Sequence, residues 1–209
     1  YYDQGMAETA VFEFFVRKLP PARNFLIAAG LDQALGFLEN ARFTADELEW
    51  LSGHGAFRPS FVKYLEQLRF TGDVHALSEG RIFFTNEPIL RVTAPIAEAQ
   101  LVESRLINIL HFQTLIASKA ARSVLMAPEK LLVDFGLRRA HGAEAGLLAA
   151  RASYLAGFAG SATVLAAPLY GVPVFDTMAH SFVQAHDDES VAFDHFARSL
   201  PGNVILLID

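Results

Sequence analysis

The chain has no cysteine, one tryptophan and three methionines. Without thiols it can form no disulfide, no zinc–thiolate site and no thiol nucleophile. A protein without disulfides suits a reducing compartment, and a cytoplasmic location is expected. Charge is also scarce. Charged residues make up 19% of the sequence and hydrophobic residues 52%, a balance that excludes a disordered chain. Basic residues are outnumbered, 17 Lys and Arg against 23 Asp and Glu, for a net charge of −6. That balance disfavours nucleic acid as a partner, because backbone binding needs basic surface to displace counterions. A local basic pocket for a phosphate or carboxylate stays open. The opening residues Tyr1, Tyr2, Asp3 and Gln4 are neither basic nor followed by an apolar core, so no signal peptide is read there. The chain does not begin with Met, and a piece of a longer protein is expected. One uncharged run, residues 152–175, is long enough to cross a bilayer. Gly157, Gly160, Pro168, Gly171 and Pro173 interrupt it, so a buried turn-and-strand segment is expected rather than a membrane span.

What is present is a chain of 209 residues with eighteen phenylalanines, enough for one large domain or two small ones. Residues 10–17 are aromatic and β-branched and predict a strand. Leu31, Ala34, Leu35 and Leu38 form one stripe of a helix over residues 31–40. Thr44 followed by Glu47 is a capping box for a helix through Leu51. Ser60 can cap another helix, with Phe61, Tyr64, Leu65 and Leu68 facing inward. Residues 72–94 read as short strands, including Arg81-Ile-Phe-Phe and Ile89-Leu-Arg-Val, punctuated by turn residues. Pro95 opens a long helix to Met126. Val102, Leu106, Ile109, Leu110, Gln113, Ile116, Ala120 and Val124 make its stripe, and apolar residues off it predict burial on more than one side.

The rhythm changes after Pro128. Strands are expected at residues 131–135, 162–166, 173–175 and 204–209, with helices at 143–155 and 190–200 between them. Strands alternating with helices at this spacing mean parallel βα units, too few to close a barrel of eight. Asp209 would stand at the C-terminal end of the last strand, where α/β enzymes place catalytic groups, and truncation is expected there.

Three segments carry candidate chemistry. Arg138 and Arg139 directly follow the strand at 131–135, and a guanidinium fork at such a rim matches a carboxylate or phosphate. The competing reading has one solvated and the other in a structural ion pair. His180, in Thr177-Met-Ala-His-Ser181, follows the strand at 173–175 and suits a base, a nucleophile or a metal ligand, against the usual structural role of a lone histidine. His186-Asp187-Asp188-Glu189 lies close behind. The six-residue gap from His180 to His186 is not a one-face helical spacing, so solvated loop charge is preferred to a metal set of His180, His186 and Asp187, and no metal site is expected. Gly157-Phe-Ala-Gly-Ser161-Ala-Thr163 is small enough for close approach of a phosphate but lacks the spacing of a Walker or dinucleotide loop, so a plain turn is preferred. On the long helix, His111 reads as a core histidine, while Lys119 and Arg122 read either as anion contacts or as a snorkelling surface pair. His54, His75, His141 and His195 show no pattern.

Several of these segments match a known family. Phe12-Glu-Phe-Phe-Val-Arg-Lys, Phe70-Thr-Gly-Asp-Val, Asn86-Glu-Pro-Ile-Leu-Arg-Val, the helix from Asn108 to Arg122, Asp134-Phe-Gly-Leu-Arg-Arg-Ala and Thr177-Met-Ala-His-Ser-Phe run in order through nearly the whole chain, and the last three are specific. The sequence resembles the nicotinate phosphoribosyltransferases. The resemblance implies an α/β fold: an α+β N-terminal domain with the long helix over residues 1–128, then residues 129–209 as the first, incomplete part of an irregular TIM-like, type II phosphoribosyltransferase barrel. It implies synthesis of nicotinate mononucleotide and pyrophosphate from nicotinate and phosphoribosyl pyrophosphate in NAD biosynthesis. ATP is the coupled co-substrate and Mg2+ accompanies the polyphosphates. It assigns phosphate acceptance to His180 and substrate binding to Arg138, Arg139, Thr177 and Ser181, and it implies a homodimer for the full-length protein.

Departures accompany the match. A substrate-stacking tyrosine would precede Tyr1, and the ribose- and phosphate-binding loops would follow Asp209, so residues 1–209 alone are expected to be inactive. Asp176 stands where the family more often has glycine, which would repel phosphate or alter the backbone there. A sister enzyme using nicotinamide or quinolinate, and a non-catalytic module binding nucleotide or pyridine, are the alternatives.

Overall fold

A computed structural model describes every residue except Asn203 and Asp209. The chain divides into two compact units, Tyr1–Lys130 with Leu155–Gly157, and Leu131–Tyr154 with Phe158–Asp209.

The first unit is built on a central strand. Strand β5 (Leu90–Pro95) alternates Leu90, Val92 and Ala94 inward. It pairs antiparallel with β1 (Thr9–Phe14) on one side and with β3 (Asp73–Ala76) on the other. The strand expected at 10–17 therefore stops at Phe14. Its continuation still runs beside the sheet, with Asn86 N donating to Val16 O across 2.8 Å. A second antiparallel pair joins β2 (Leu26–Ile27) to β4 (Ile82–Phe83).

The helices follow their end signals closely. Helix α1 spans Leu31–Glu39, and Glu79 Oε1 accepts the amides of Gly30 and Leu31 at its start, at 2.6 and 3.1 Å. Helix α2 (Ala45–His54) carries the expected capping box. Glu47 N donates to Thr44 Oγ1 at 3.3 Å, and the Thr44 amide and hydroxyl donate to Glu47 Oε2 at 2.7 and 2.9 Å; the last two bonds hold the Glu47 carboxyl below its ordinary pKa. Helix α3 (Pro59–Gln67) corrects the expected cap. Arg58 is the N-cap, Pro59 takes the first helical position, and Ser60 lies inside. Proline has no amide to leave unpaired there and pushes the preceding residue into extended backbone. Val62, Leu65 and Leu68 are buried, whereas Phe61 and Tyr64 are half-buried and pack on the Tyr2 ring.

Helix α4 (Ile96–Met126) begins directly after Pro95 as expected. Its inner stripe includes Ala99, Val102, Leu106, Ile109 and Leu110, which close the main core with Ala34 and Leu38 of α1 and with β5. His111 falls off that stripe and is exposed, which corrects its assignment to the core. Polar residues of α4 have a different task. Thr114 Oγ1 lies 3.4 Å from Ala29 N and 3.3 Å from Ala29 O. Ser118 Oγ accepts Ile27 N at 2.9 Å, and Arg122 Nη2 donates to Phe25 O at 2.8 Å. The Arg122 guanidinium also lies over the Phe25 ring, 4.6 Å from its centroid, and burial lowers its pKa. Every fourth residue of the helix thus meets every second residue of an extended segment. Four helical residues rise about 6 Å and two extended residues about 6.6 Å, so the two ladders stay in step. Arg122 is therefore held by backbone, and neither reading from the sequence described it.

The second unit is a small parallel layer. Strand β6 (Val133–Asp134) pairs parallel with β7 (Gly160–Ser161), and Ser161 bridges in parallel to Val174. Helix α5 (Ala143–Leu155) joins β6 to β7. The strand expected at 162–166 is a turn leading into α6 (Ala166–Tyr170), because Ala166 N closes on Thr163 O at 2.9 Å. Helices α7 (His180–Gln184) and α8 (Glu189–Ser199) follow. Asp188 caps α8 through Ser190, whose hydroxyl and amide bonds lower the Asp188 pKa. Residues 204–208 are not a strand, and Asp209 lies outside the described residues. No helix among the described residues is long and apolar enough to cross a membrane.

The α4 ladder yields a prediction. Ser118→Ala removes the buried acceptor of Ile27 N. An orphaned buried donor costs about 1–3 kcal/mol, so the urea midpoint is expected to fall. The same change at exposed Ser52 is expected to leave it in place.

Candidate active site

The strongest convergence of candidate side chains is the C-terminal edge of the parallel layer. Strand β7 lies between β6 and Val174, so the segments leaving all three emerge at one edge. That edge is where α/β proteins bind ligands. It receives residues 135–139 from β6, 162–163 from β7 and 175–181 from the Val174 segment.

Glycine and side-chain bonds make so small a sheet possible. Ser161 N donates to Pro173 O and Phe175 N to Ser161 O, both at 3.0 Å. This brings the third segment tight against Gly160. A Cβ at Gly160 would fall on the Pro173 carbonyl oxygen and within 2.6 Å of the Phe175 ring. Ser161 is wholly buried. Its hydroxyl donates to Asp134 Oδ2 at 2.9 Å and accepts Thr163 N at 3.0 Å. The segment 157–163, expected as a plain turn, contains the short strand β7 before its turn, and the Ser161 hydroxyl is committed to structure.

Arg138 and Arg139 do not sit on a strand. They lie in a 3₁₀ turn, Leu137–Arg139, closed by Arg139 N donating to Gly136 O at 2.9 Å. Both are exposed. In a three-residue turn neighbouring side chains point about 120° apart, so the two forks face different directions.

His180 is the first residue of α7 and is exposed, with exposed Ser181 beside it. Thr177 is half-buried, and its hydroxyl donates to Ile205 O at 2.6 Å. The Thr177 proton is therefore already used, which leaves only acceptor capacity for a ligand. Asp176 turns back on the chain, with Oδ1 accepting Thr177 N at 2.8 Å. Its charge is engaged with local backbone.

His186 does not join His180. Its Nδ1 lies 2.7 Å from Phe182 O and its Nε2 lies 3.1 Å from His195 Nδ1. A carbonyl only accepts, so Nδ1 carries the proton, and in the neutral ring Nε2 accepts from His195. This clasp between the turn after α7 and helix α8 had no sequence signal, since nine residues separate the two histidines. Among the described residues no three His, Asp or Glu side chains stand together as a metal site.

Asp134, which accepts the Ser161 hydroxyl at this edge, was not among the expected site residues. The sequence marks it only as an acid near the end of an expected strand, two residues before a glycine, a pattern with no single meaning.

Comparison with known proteins identifies the family. Residues 1–111 match the nicotinate phosphoribosyltransferase N-terminal domain and residues 131–203 the nicotinate phosphoribosyltransferase family. The chain belongs to the nicotinate phosphoribosyltransferase family. It is 52% identical over 207 residues to nicotinate phosphoribosyltransferase pncB2 of Mycobacterium tuberculosis, covering 99% of this chain and 45% of that protein. It is 41% identical over 208 residues to the Bacillus subtilis nicotinate phosphoribosyltransferase, covering 99% and 42%. The chain thus spans slightly less than half the length of these relatives. The crystal structure of human nicotinic acid phosphoribosyltransferase superposes with a TM-score of 0.81 at 39% identity, over 88% of this chain and 38% of that one. A nicotinate-nucleotide pyrophosphorylase from Pyrococcus furiosus, at 22% identity and TM-score 0.75 over 93% of this chain and 42% of that one, shares the fold.

In this family member Gly160→Ala is expected to force β7 away from the Pro173–Phe175 backbone. Overpacking of this kind costs about 1–3 kcal/mol. Thermal unfolding measures it, and an unchanged midpoint would refute the close approach.

Proposed function

We propose that the complete protein carrying this chain is a nicotinate phosphoribosyltransferase of NAD biosynthesis. It joins nicotinate to phosphoribosyl pyrophosphate, yielding nicotinate mononucleotide and pyrophosphate with coupled ATP hydrolysis. The observation that carries the reading is the parallel edge that collects the arginine turn, the 161–163 turn and the Thr177–Ser181 segment, in a chain of this family. In this reading residues 129–209 begin a TIM-like barrel and residues 1–128 form the α+β domain before it. Phosphoribosyl pyrophosphate and ATP are highly charged and do not cross membranes unaided, which supports a cytoplasmic enzyme. Family resemblance further supports a homodimer of the complete protein.

The chemistry suits the side chains. The pyridine nitrogen bonds to the anomeric carbon as the bond from that carbon to pyrophosphate breaks, with its electron pair leaving on the pyrophosphate oxygen. Positive charge builds on the sugar and negative charge on the leaving group, so positioning and anion stabilisation supply most of the rate. Arg138 and Arg139 supply planar forks for carboxylate and phosphate oxygens. Mg2+ would accompany the substrate polyphosphates, whose oxygens are the hard ligands it prefers. His180 attacks the γ-phosphorus of ATP through a ring nitrogen lone pair and releases ADP, and Ser181 lies beside it to donate a hydrogen bond.

Product formation with nicotinate, and not with nicotinamide or quinolinate, tests the reading against a sister enzyme. No product from any of the three favours a binding module. Labelled γ-phosphate of ATP is expected on the protein as an acid-labile, base-stable adduct. His180→Asn is expected to abolish it and leave slow ATP-independent synthesis. Undiminished labelling would move the acceptor elsewhere, with His186 next to test.

Arg139 is taken as the ligand-facing arginine. Arg139→Lys keeps the charge and loses the fork. The loss of a charge-assisted bond is worth about 1.5–3 kcal/mol, or roughly 10- to 150-fold in kcat/KM. Wild-type kinetics in both Arg138→Lys and Arg139→Lys would refute the anion clamp.

A further inference from the structure

Two features of the parallel edge hang on one carboxylate. Strands β6 and β7 are two residues each, and Ala159 N to Leu132 O and Ala162 N to Asp134 O, at 2.8 and 2.9 Å, are their flanking backbone bonds. So short a ladder constrains the outgoing loops weakly. Asp134 adds what the ladder lacks. Its Oδ1 accepts Gly136 N at 3.1 Å, where the chain bends into the turn that carries Arg138 and Arg139. Its Oδ2 accepts the Ser161 hydroxyl at 2.9 Å, and that same hydroxyl oxygen accepts Thr163 N at 3.0 Å. One continuous chain of hydrogen bonds therefore runs from the first turn, through two side chains, to the second.

The groups are matched in kind. Asp134 faces two donors, an amide and a hydroxyl, and an ionised carboxylate has two oxygens that only accept. Asparagine has the same shape but turns an amide nitrogen toward one of those donors. Ser161 is fully buried, so its hydroxyl requires a partner. Gly136 leaves the space this needs, since a Cβ there would lie 2.9 Å from Asp134 Oδ1. Ser161 and Thr163 of the second turn are buried, whereas the arginine turn is exposed, and exposed guanidiniums take their direction from the turn that bears them.

We propose that Asp134 is a positioning residue, which fixes the arginine turn relative to the 161–163 turn so that the edge fits the anionic groups of the substrates. The proposal rests on the reading of this edge as a phosphoribosyltransferase site. It assigns Asp134 no contact with substrate. The linkage acts by preorganisation, where an error of about 1 Å costs on the order of 100-fold in rate.

The test uses the complete protein with Asp134→Asn, Ser161→Ala and the double variant. The expected result is a fall of about 10- to 100-fold in kcat/KM for each single variant, with KM for phosphoribosyl pyrophosphate raised. The double variant is expected to be no worse than the poorer single one, because both cut the same link. Amide exchange at Gly136 and Thr163 is expected to speed up together in Asp134→Asn. Ser161→Ala is expected to free Thr163 alone. A lowered unfolding temperature with unchanged kcat/KM per folded molecule in both single variants would make the linkage merely structural and overturn the proposal. Should the wild-type protein form no nucleotide from nicotinate, the proposed function fails separately. Inorganic pyrophosphate binding then decides: weakening by about tenfold in Asp134→Asn supports positioning, whereas equal affinity, or no binding to wild type, refutes it. If Asp134→Asn does not fold, Ser161→Ala carries the same comparisons.

Discussion

Helix α4 does for the first unit what a neighbouring strand would do. The segment 25–29 is extended and would leave a row of unpaired backbone groups inside the protein. Thr114, Ser118 and Arg122 supply the missing partners from one face of the helix. The near-equality of four helical rises and two strand rises makes this possible. The same helix turns its apolar stripe toward β5 and α1, so one element closes the core and completes an edge. Its polar inner residues are therefore as fixed as its leucines. A buried amide without an acceptor would cost as much as a lost methylene or two.

The second unit solves a similar shortage differently. Its strands are too short for a long ladder, so glycine and side chains fill in. Gly160 admits the third strand segment to a distance that a methyl group forbids. Asp134 and Ser161 tie the strand ends from within. Thr177 is anchored to Ile205. The result is an edge whose arginines and histidine remain exposed while the groups beneath them are committed. Separation of this kind suits an anion-handling site, where charged groups must meet ligand and their supports must not.

Local signals were highly legible. Thr44 and Glu47 announced a capping box, Pro95 a helix start, and the apolar rhythm of residues 96–126 a helix that ends at Met126. Helix α5 begins and ends where its composition placed it. Each of these depends on residues within about one turn of one another, so sequence neighbours carry the information. Ser60 misled because serine caps well in isolation, and the adjacent Pro59 outranked it. His111 misled because apolar neighbours in sequence are not neighbours around a helix. The uncharged stretch at 162–166 looked like a strand, but past the Ala162 bond to Asp134 O the chain closes on itself, Ala166 N to Thr163 O, and turns into α6.

By itself the sequence determined a mixed α/β class, the boundaries of α4 and α5, the family and the residue types offered to a ligand. Arginine pairs and a histidine after short strands state a chemistry wherever they fall. Only the tertiary structure decided which polar groups were free to use it. Arg122 was spent on the Phe25 carbonyl, the Thr177 proton on Ile205, and His186 on His195, each by a partner at least nine residues away. Asp134 gained its place in the same manner, from a hydroxyl twenty-seven residues later. A hydrogen bond is made by whatever donor lies within about 3 Å in the right direction, and that proximity is set by packing rather than by sequence order.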